Sequence, residues 1–421
     1  GSKNEHIYDT IVHDGDYVSV GHSVSNDYDF KGMNKGREDI FVVKHNNKGE
    51  LIWKKTFGGS IDEYAMSVSL EEDGYIIVGY TISRDGDFSQ VQNGNANGYI
   101  MKLDFDGNII WNNTVYAHDW DMFNDFVKRD DGGYIVVGST QSHPGYSSSD
   151  TNDIMVVGIS EDGKTEYIKY IGGNYRDRGE RIINNKDGTY TIIGQSFSTR
   201  GMASHKGGED GVLVKIDNNG NVLKCKNFGG SGDDHFRQVY QMDNGDFVVV
   251  GYTESNDKNL AGVKTTTDRD GLVVLFDKNW NVKWVKTVGG TKNEWLLDVY
   301  VDDTGIMTAG FGGSNDGEFA GMNKGGEDAI VVRFSLDGEK EWIRSFGGSG
   351  EERLRTMVRT PEGGYLIGGD TTSIDGDLNG IVNRGSQDAL LVKFNQDGTF
   401  GILSQDNEIS EVKYKIETNK S

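Results

Sequence analysis

Cysteine, proline, long apolar runs and basic residues are all scarce in this 421-residue chain, and each shortage closes off a class of protein. A single cysteine, Cys225, excludes an intrachain disulfide and a thiolate metal cluster. Only two prolines, neither in a low-complexity run, stand beside 60 glycines, a balance that fits many tight turns rather than disorder. No apolar stretch is long enough to span a bilayer and no signal peptide is visible. Gly1-Ser2 reads as a cloning remnant, so a bacterial leader removed from the chain stays compatible with the sequence. With 43 basic against 66 acidic residues the formal charge is −23, which leaves no basic stripe for nucleic acid and disfavours adsorption to anionic lipid. Such a surface serves as a solubility coat, or it favours cations and basic partners.

What the chain has instead is a repeat. Tyr17-Val18-Ser19-Val20-Gly21 returns as Tyr75–Gly79, Tyr134–Gly138, Tyr190–Gly194, Phe247–Gly251, Ile306–Gly310 and Tyr365–Gly369. The seven glycines are spaced by 58, 59, 56, 57, 59 and 59 residues. Each unit holds four strand-like runs, A to D, bounded by turn signals such as Asp73-Gly74 and Asp106-Gly107, and none sustains a helical period. One such unit cannot bury both faces of its sheet, whereas a ring of identical neighbours can, and a ring has no end to cap. The sequence therefore predicts an all-β, seven-bladed β-propeller of four-stranded antiparallel blades over residues 5–407. The expected blades are 5–59, 60–117, 118–173, 174–230, 231–290, 291–348 and 349–407, with 408–421 as a tail, an extra strand or a linker. Trp53, Trp111, Tyr167, Trp284 and Trp342 recur in strand D and read as filling between blades. Asp39, Asp153, Asp210, Asp270, Asp328 and Asp388 precede strand C and read as loop clamps.

Gly58–Glu63, Asp73–Thr81, Glu38–Lys44 and Asp106–Trp111 carry Gly-Gly-Ser-x-Asp-Glu, Asp-Gly-Tyr-Ile-Ile-Val-Gly-Tyr-Thr, Glu-Asp-Ile-Phe-Val-Val-Lys and Asp-Gly-Asn-Ile-Ile-Trp. They resemble the beta-propeller repeats of bacterial secreted and lipid-anchored surface proteins. The resemblance covers about residues 5–403 and implies an exported, surface-associated protein, but no shared activity.

If A is the inner strand, the short A–B and C–D turns share one face, and the long B–C loops share the other with the D–A links. Long loops on a rigid scaffold are where binding usually resides. On that face, copies that break the pattern single out candidate ligand residues: Tyr116, His118, Trp120, Asp121, Tyr146, Tyr175, Arg176 and Trp295. Acids of the D–A links, Asp62, Glu63, Asp177, Asp233, Asp234, Glu294, Glu351 and Glu352, would circle the channel mouth, where they bind a cation or simply end strands in solvent. Closely spaced Asp85, Asp87, Asp316, Asp375 and Asp377 in the B–C loops suit the oxygen shell of Ca²⁺, the one cofactor the sequence suggests.

These features point first to a monomeric, non-catalytic, exported binding module for a glycan or protein on a cell surface. A carbohydrate-active enzyme, either a glycoside hydrolase or a lyase, is the rival, because acids abound although none is singled out. An architectural spacer of a larger surface protein is the third reading.

Overall fold

The computed structural model describes residues 1–91, 95–117, 120–141, 152–202, 205–264 and 268–402. Twenty-eight strands form seven four-stranded antiparallel sheets, each of four consecutive strands paired in chain order. In blade 1, strands A to D are Glu5–His13, Asp16–Ser23, Asp39–His45 and Leu51–Phe57. The other A strands are Glu63–Glu71, Asp121–Lys128, Asp177–Asn184, Asp234–Gln241, Glu294–Asp302 and Glu352–Arg359. Among the described residues the only helical pieces are five one-turn 3₁₀ helices in B–C loops. The protein is a seven-bladed β-propeller.

Alternation along the strands builds the core at seven seams, one per pair of adjacent blades. In the first seam Val18, Val20, Ile40 and Val42 of blade 1 meet Ala65, Val68, Tyr75 and Ile77 of blade 2. The seventh joins the ends of the ring, with Ile7, Tyr17, Phe41 and Val43 packed on Leu366 and Leu391. Burying such a run of Val, Ile and Leu contributes about 1.5–3 kcal/mol per side chain. Every seam also carries one equivalent hydrogen bond. The first N–H of strand A donates to the carbonyl just before strand C of the preceding blade, at 2.6–2.9 Å, and Glu5 N to Gln387 O repeats it across the closure.

Tryptophans of strand D fill space between blades. A Cβ on Gly107 would lie 3.1 Å from Trp53, and one on Gly163 2.6 Å from Trp111, so each ring lies against the Gly of the next blade's C–D turn. Those glycines also need positive φ, +76° and +84°. Cys225, on an outer strand, is half-buried rather than enclosed.

The A strands surround the channel, and each carries a β-bulge in register with the glycine of strand B. A Cβ on Gly21, 79, 138, 194, 251, 310 or 369 would fall only 1.8–2.0 Å from a strand-A carbonyl oxygen. Glycine at this place lets the bulged strand come close. Below the mouth, carboxylates tie neighbouring A strands together: Asp9 accepts Val68 N, Asp125 accepts Ile182 N and Asp298 accepts Met357 N. Arg181 lies among Asp9, Asp125, Glu180 and Asp298, which come from four different blades, so it reaches across the channel.

Candidate functional site

The B–C loops and D–A links do share one face, and they lock together there. In blade 2, Asp85 accepts Ser60 N, Asp87 accepts Gly58 N, and Phe88 of the one-turn helix is buried beneath them. Gly86, at φ +60°, passes so near Gly58 O that a Cβ would be 2.2 Å away. Blades 6 and 7 repeat the lock with Asp316 on Thr291 N, Asp375 on Ser349 N and Asp377 on Gly347 N. Each of the five acids expected to suit calcium thus has at least one oxygen committed to loop N–H groups. Among the described residues no group of three or more His, Cys, Asp or Glu is placed to hold a metal ion.

The ring of link carboxylates is not a solvated circle. Glu63, Asp177, Asp234, Glu294 and Glu352 are buried and clamp the preceding Gly-Gly, accepting the N–H of Gly59, Gly173, Gly230, Gly290 and Gly348. Burial pushes the Asp177 and Asp234 carboxyls up to about 6 and Glu294 up to about 7. Asp121 occupies the same position in blade 3, is fully buried, and accepts Ala117 N. That geometry makes it a clamp and takes it out of reach of a ligand.

The other expected ligand residues fall at separate places on the rim. Tyr116 and Trp120 are exposed on the link between blades 2 and 3. Tyr175, also exposed, stands edge-on to Phe197 at 5.7 Å, beside Arg176, which pairs with Glu209 at 3.0 Å. His118 and Tyr146 lie outside the described residues. Trp295 alone sits directly in the channel mouth, and it belongs to a larger pattern.

Immediately after each clamp acid, strand A places one residue opposite the residue that follows the strand-B glycine. The seven cross-strand pairs are His6–His22, Tyr64–Tyr80, Met122–Ser139, Arg178–Gln195, His235–Tyr252, Trp295–Phe311 and Arg353–Asp370. An acid precedes the strand-A member and a glycine the strand-B member in all seven copies, whereas the pairs themselves differ in every one. Together they form a nearly continuous arc, in which His6, Tyr64, Tyr80, Met122, Arg178, Trp295, Phe311 and Arg353 are half-buried and the other members are buried behind them. Glu209 links Arg176 to His235, whose ring stacks on Tyr252 at 4.4 Å. Tyr252 meets Trp295 at 4.2 Å, Trp295 stacks on Phe311 at 5.8 Å, and Arg353 lies over Phe311 at 5.3 Å. Past blade 7, His6 contacts Asp370 at 3.2 Å and His22, and the chain of rings runs on through Tyr64 to Tyr80. Met122 and Ser139 leave the one weakly polar gap.

Charge along the arc is mostly paired. Arg178 and Arg237 hold Glu180, Arg269 holds Glu254 while lying over Tyr252 and Trp295, and Arg353 holds Glu327. Burial opposes the charge of Glu180, but Arg178, Arg237 and Arg181 outweigh it and keep the carboxyl below its ordinary value. Burial lowers His6 to about 4 and His22 to about 3, with the Arg355 charge adding to both effects. Both imidazoles are therefore neutral at pH 7.

No family model matches the chain. Among curated proteins it is similar to the regulatory protein FlaEY of Caulobacter vibrioides, 20% identical over 371 residues. That stretch is 78% of this chain and 39% of FlaEY, so the chain spans about two-fifths of its relative's length. Solved structures with similarity include the WD40 domain of Neurospora crassa Pan2, at 11% identity, 87% and 86% coverage and TM-score 0.49. Another is the β-propeller domain of the trilobed protease from Pyrococcus furiosus, at 9% identity, 97% and 100% coverage and TM-score 0.49.

Each of the arc's B-strand members directly follows a register glycine, a signal that marks the position but not the side of the sheet on which its side chain emerges. Alternate strand positions read as core, however, and only the link and loop residues stood out as variable.

Proposed function

We propose that the protein is an exported, non-catalytic binding module that recognises a glycan or a protein at the channel mouth on its long-loop face. One observation carries this reading: seven register-equivalent pairs, different in every blade, each stand directly after a constant strand-A acid and a constant strand-B glycine. They place aromatic rings beside Arg–carboxylate pairs, a combination suited to sugar faces or extended peptide. The resemblance to bacterial surface repeats supports export.

A glycan array and a pull-down from host surface extracts test the reading. Trp295→Ala is expected to weaken the captured ligand at least tenfold while leaving the melting temperature within a few degrees of the parent. Absence of any ligand in both screens, or binding indifferent to Trp295→Ala and Tyr64→Ala, would remove the mouth as the site.

A further inference from the structure

The blade junctions hold paired carboxylates that the mouth does not use. Where a link crosses from one blade to the next, the residue opening strand C of the first blade faces the residue opening strand A of the second. They lie around the first glycine of the Gly-Gly turn. A Cβ on Gly58 would be 2.4 Å from Asp39 Oδ1 and 2.8 Å from Glu63 Oε2. One on Gly229 would be 2.3 Å from Asp210 Oδ1 and 2.6 Å from Asp234 Oδ2, and one on Gly347 2.8 Å from Asp328 Oδ1 and 2.4 Å from Glu352 Oε2. In each pair the two oxygens are therefore within about 5 Å of one another, and all six side chains are buried.

In each pair one oxygen lacks a partner. Asp39 Oδ1, Asp210 Oδ1 and Asp328 Oδ1 accept no hydrogen bond from any described residue. The second oxygens of these aspartates take the N–H of Lys35, Lys206 and Lys324. Two buried like charges beside an unsatisfied oxygen are costly unless a proton or a cation lies between them.

Two other junctions show what offsets this cost. Between blades 5 and 6, the buried Lys264 ammonium stands 4.0 Å from Asp270, opposite Glu294. Between blades 2 and 3, Asn97 faces Asp121, so only one carboxylate is present, and Tyr116 replaces the glycine. Among the described residues no lysine or arginine side-chain nitrogen pairs with Asp39, Asp210 or Asp328; His205 Nδ1 lies 3.8 Å from Asp210 Oδ2.

We infer that the pairs Asp39–Glu63, Asp210–Asp234 and Asp328–Glu352 each bind a hard divalent cation of the calcium type. Backbone carbonyls and water would supply its remaining oxygens. A divalent ion neutralises both carboxylates, which a single ammonium does not. Because these links form the rim, the ions would stiffen the face that carries the mouth, but the inference does not depend on what the mouth binds.

The test uses the intact protein, stripped with EDTA and desalted at pH 7.5. Bound metal is counted by elemental analysis after equilibration with calcium chloride, and melting is followed with and without the ion. At least three calcium ions per chain and a rise of several degrees are expected. Asp210→Asn should lower the count by one, and Asp85→Asn should leave it unchanged. If Asp210→Asn does not fold, the parent's count and shift still decide. No retained calcium and no shift, with a melting temperature that instead climbs as pH falls from 7.5 to 5.5, would overturn the inference and assign a shared proton to the pairs.

Discussion

Gly251 shows how one side chain, by its absence, creates the mouth. Its Cβ would fall 1.8 Å from His235 O, so only glycine admits the strand-A bulge at Arg237. That close approach seats His235 and Tyr252 side by side at the channel. Gly251→Ala is expected to destabilise the protein by about 1–3 kcal/mol, the usual cost of overpacking, read as a lower urea midpoint at unchanged slope. Because the clash is local, the same substitution should also weaken any ligand held at Trp295. Sequence periodicity located these glycines without difficulty, because a strand glycine in every copy marks a backbone constraint. It did not reveal that the next residue faces the mouth, since one strand position later the side chain emerges on the opposite side of the sheet.

At the scale of elements, the four-strand unit, its Asp-Gly turns and its strand-D tryptophans were all legible, because local turn chemistry and period-two patterning dictate them. The B–C loops were not. Their sequences look irregular, yet blades 1, 2, 5, 6 and 7 fold them onto the same one-turn helix with a buried Phe or Leu. Loop acids that suggested calcium are spent on N–H groups of the neighbouring link, a partner far enough along the chain to leave no local signal. Of the link acids, Glu63, Asp177, Asp234, Glu294 and Glu352 turn inward for the same reason. Burial raises Glu294 from 4.5 to about 7, with Asp270 opposite and Ser314 and Gly290 N opposing the shift. A carboxyl that binds its proton more tightly when folded stabilises at low pH, and that contribution is lost as pH rises through about 7. Glu294→Gln removes this titration. Its melting temperature relative to the parent should therefore climb between pH 5.5 and 8; a constant difference would show that Glu294 is ionised throughout.

For the whole molecule, closure rests on an ordinary seam. Glu5 N to Gln387 O and the contact of Ile7, Phe41 and Val43 with Leu366 and Leu391 repeat what every other junction has. The ring is thus completed by packing blade 1 on blade 7, with no blade shared between the two ends of the chain. No local signal announces these contacts, because they join residues more than 320 positions apart. Closure is what gathers seven variable pairs into one arc, so binding at the mouth is a property of the ring and not of any blade. Hydrogen–deuterium exchange on the intact protein, with and without its captured ligand, tests that claim most directly. Protection is expected together at residues 6–8, 64–66, 235–237, 295–297 and 353–355, the opening turns of five A strands. Protection confined to the A–B and C–D turns, around Asp73-Gly74 and Asp106-Gly107, would place the ligand on the opposite face and contradict the account.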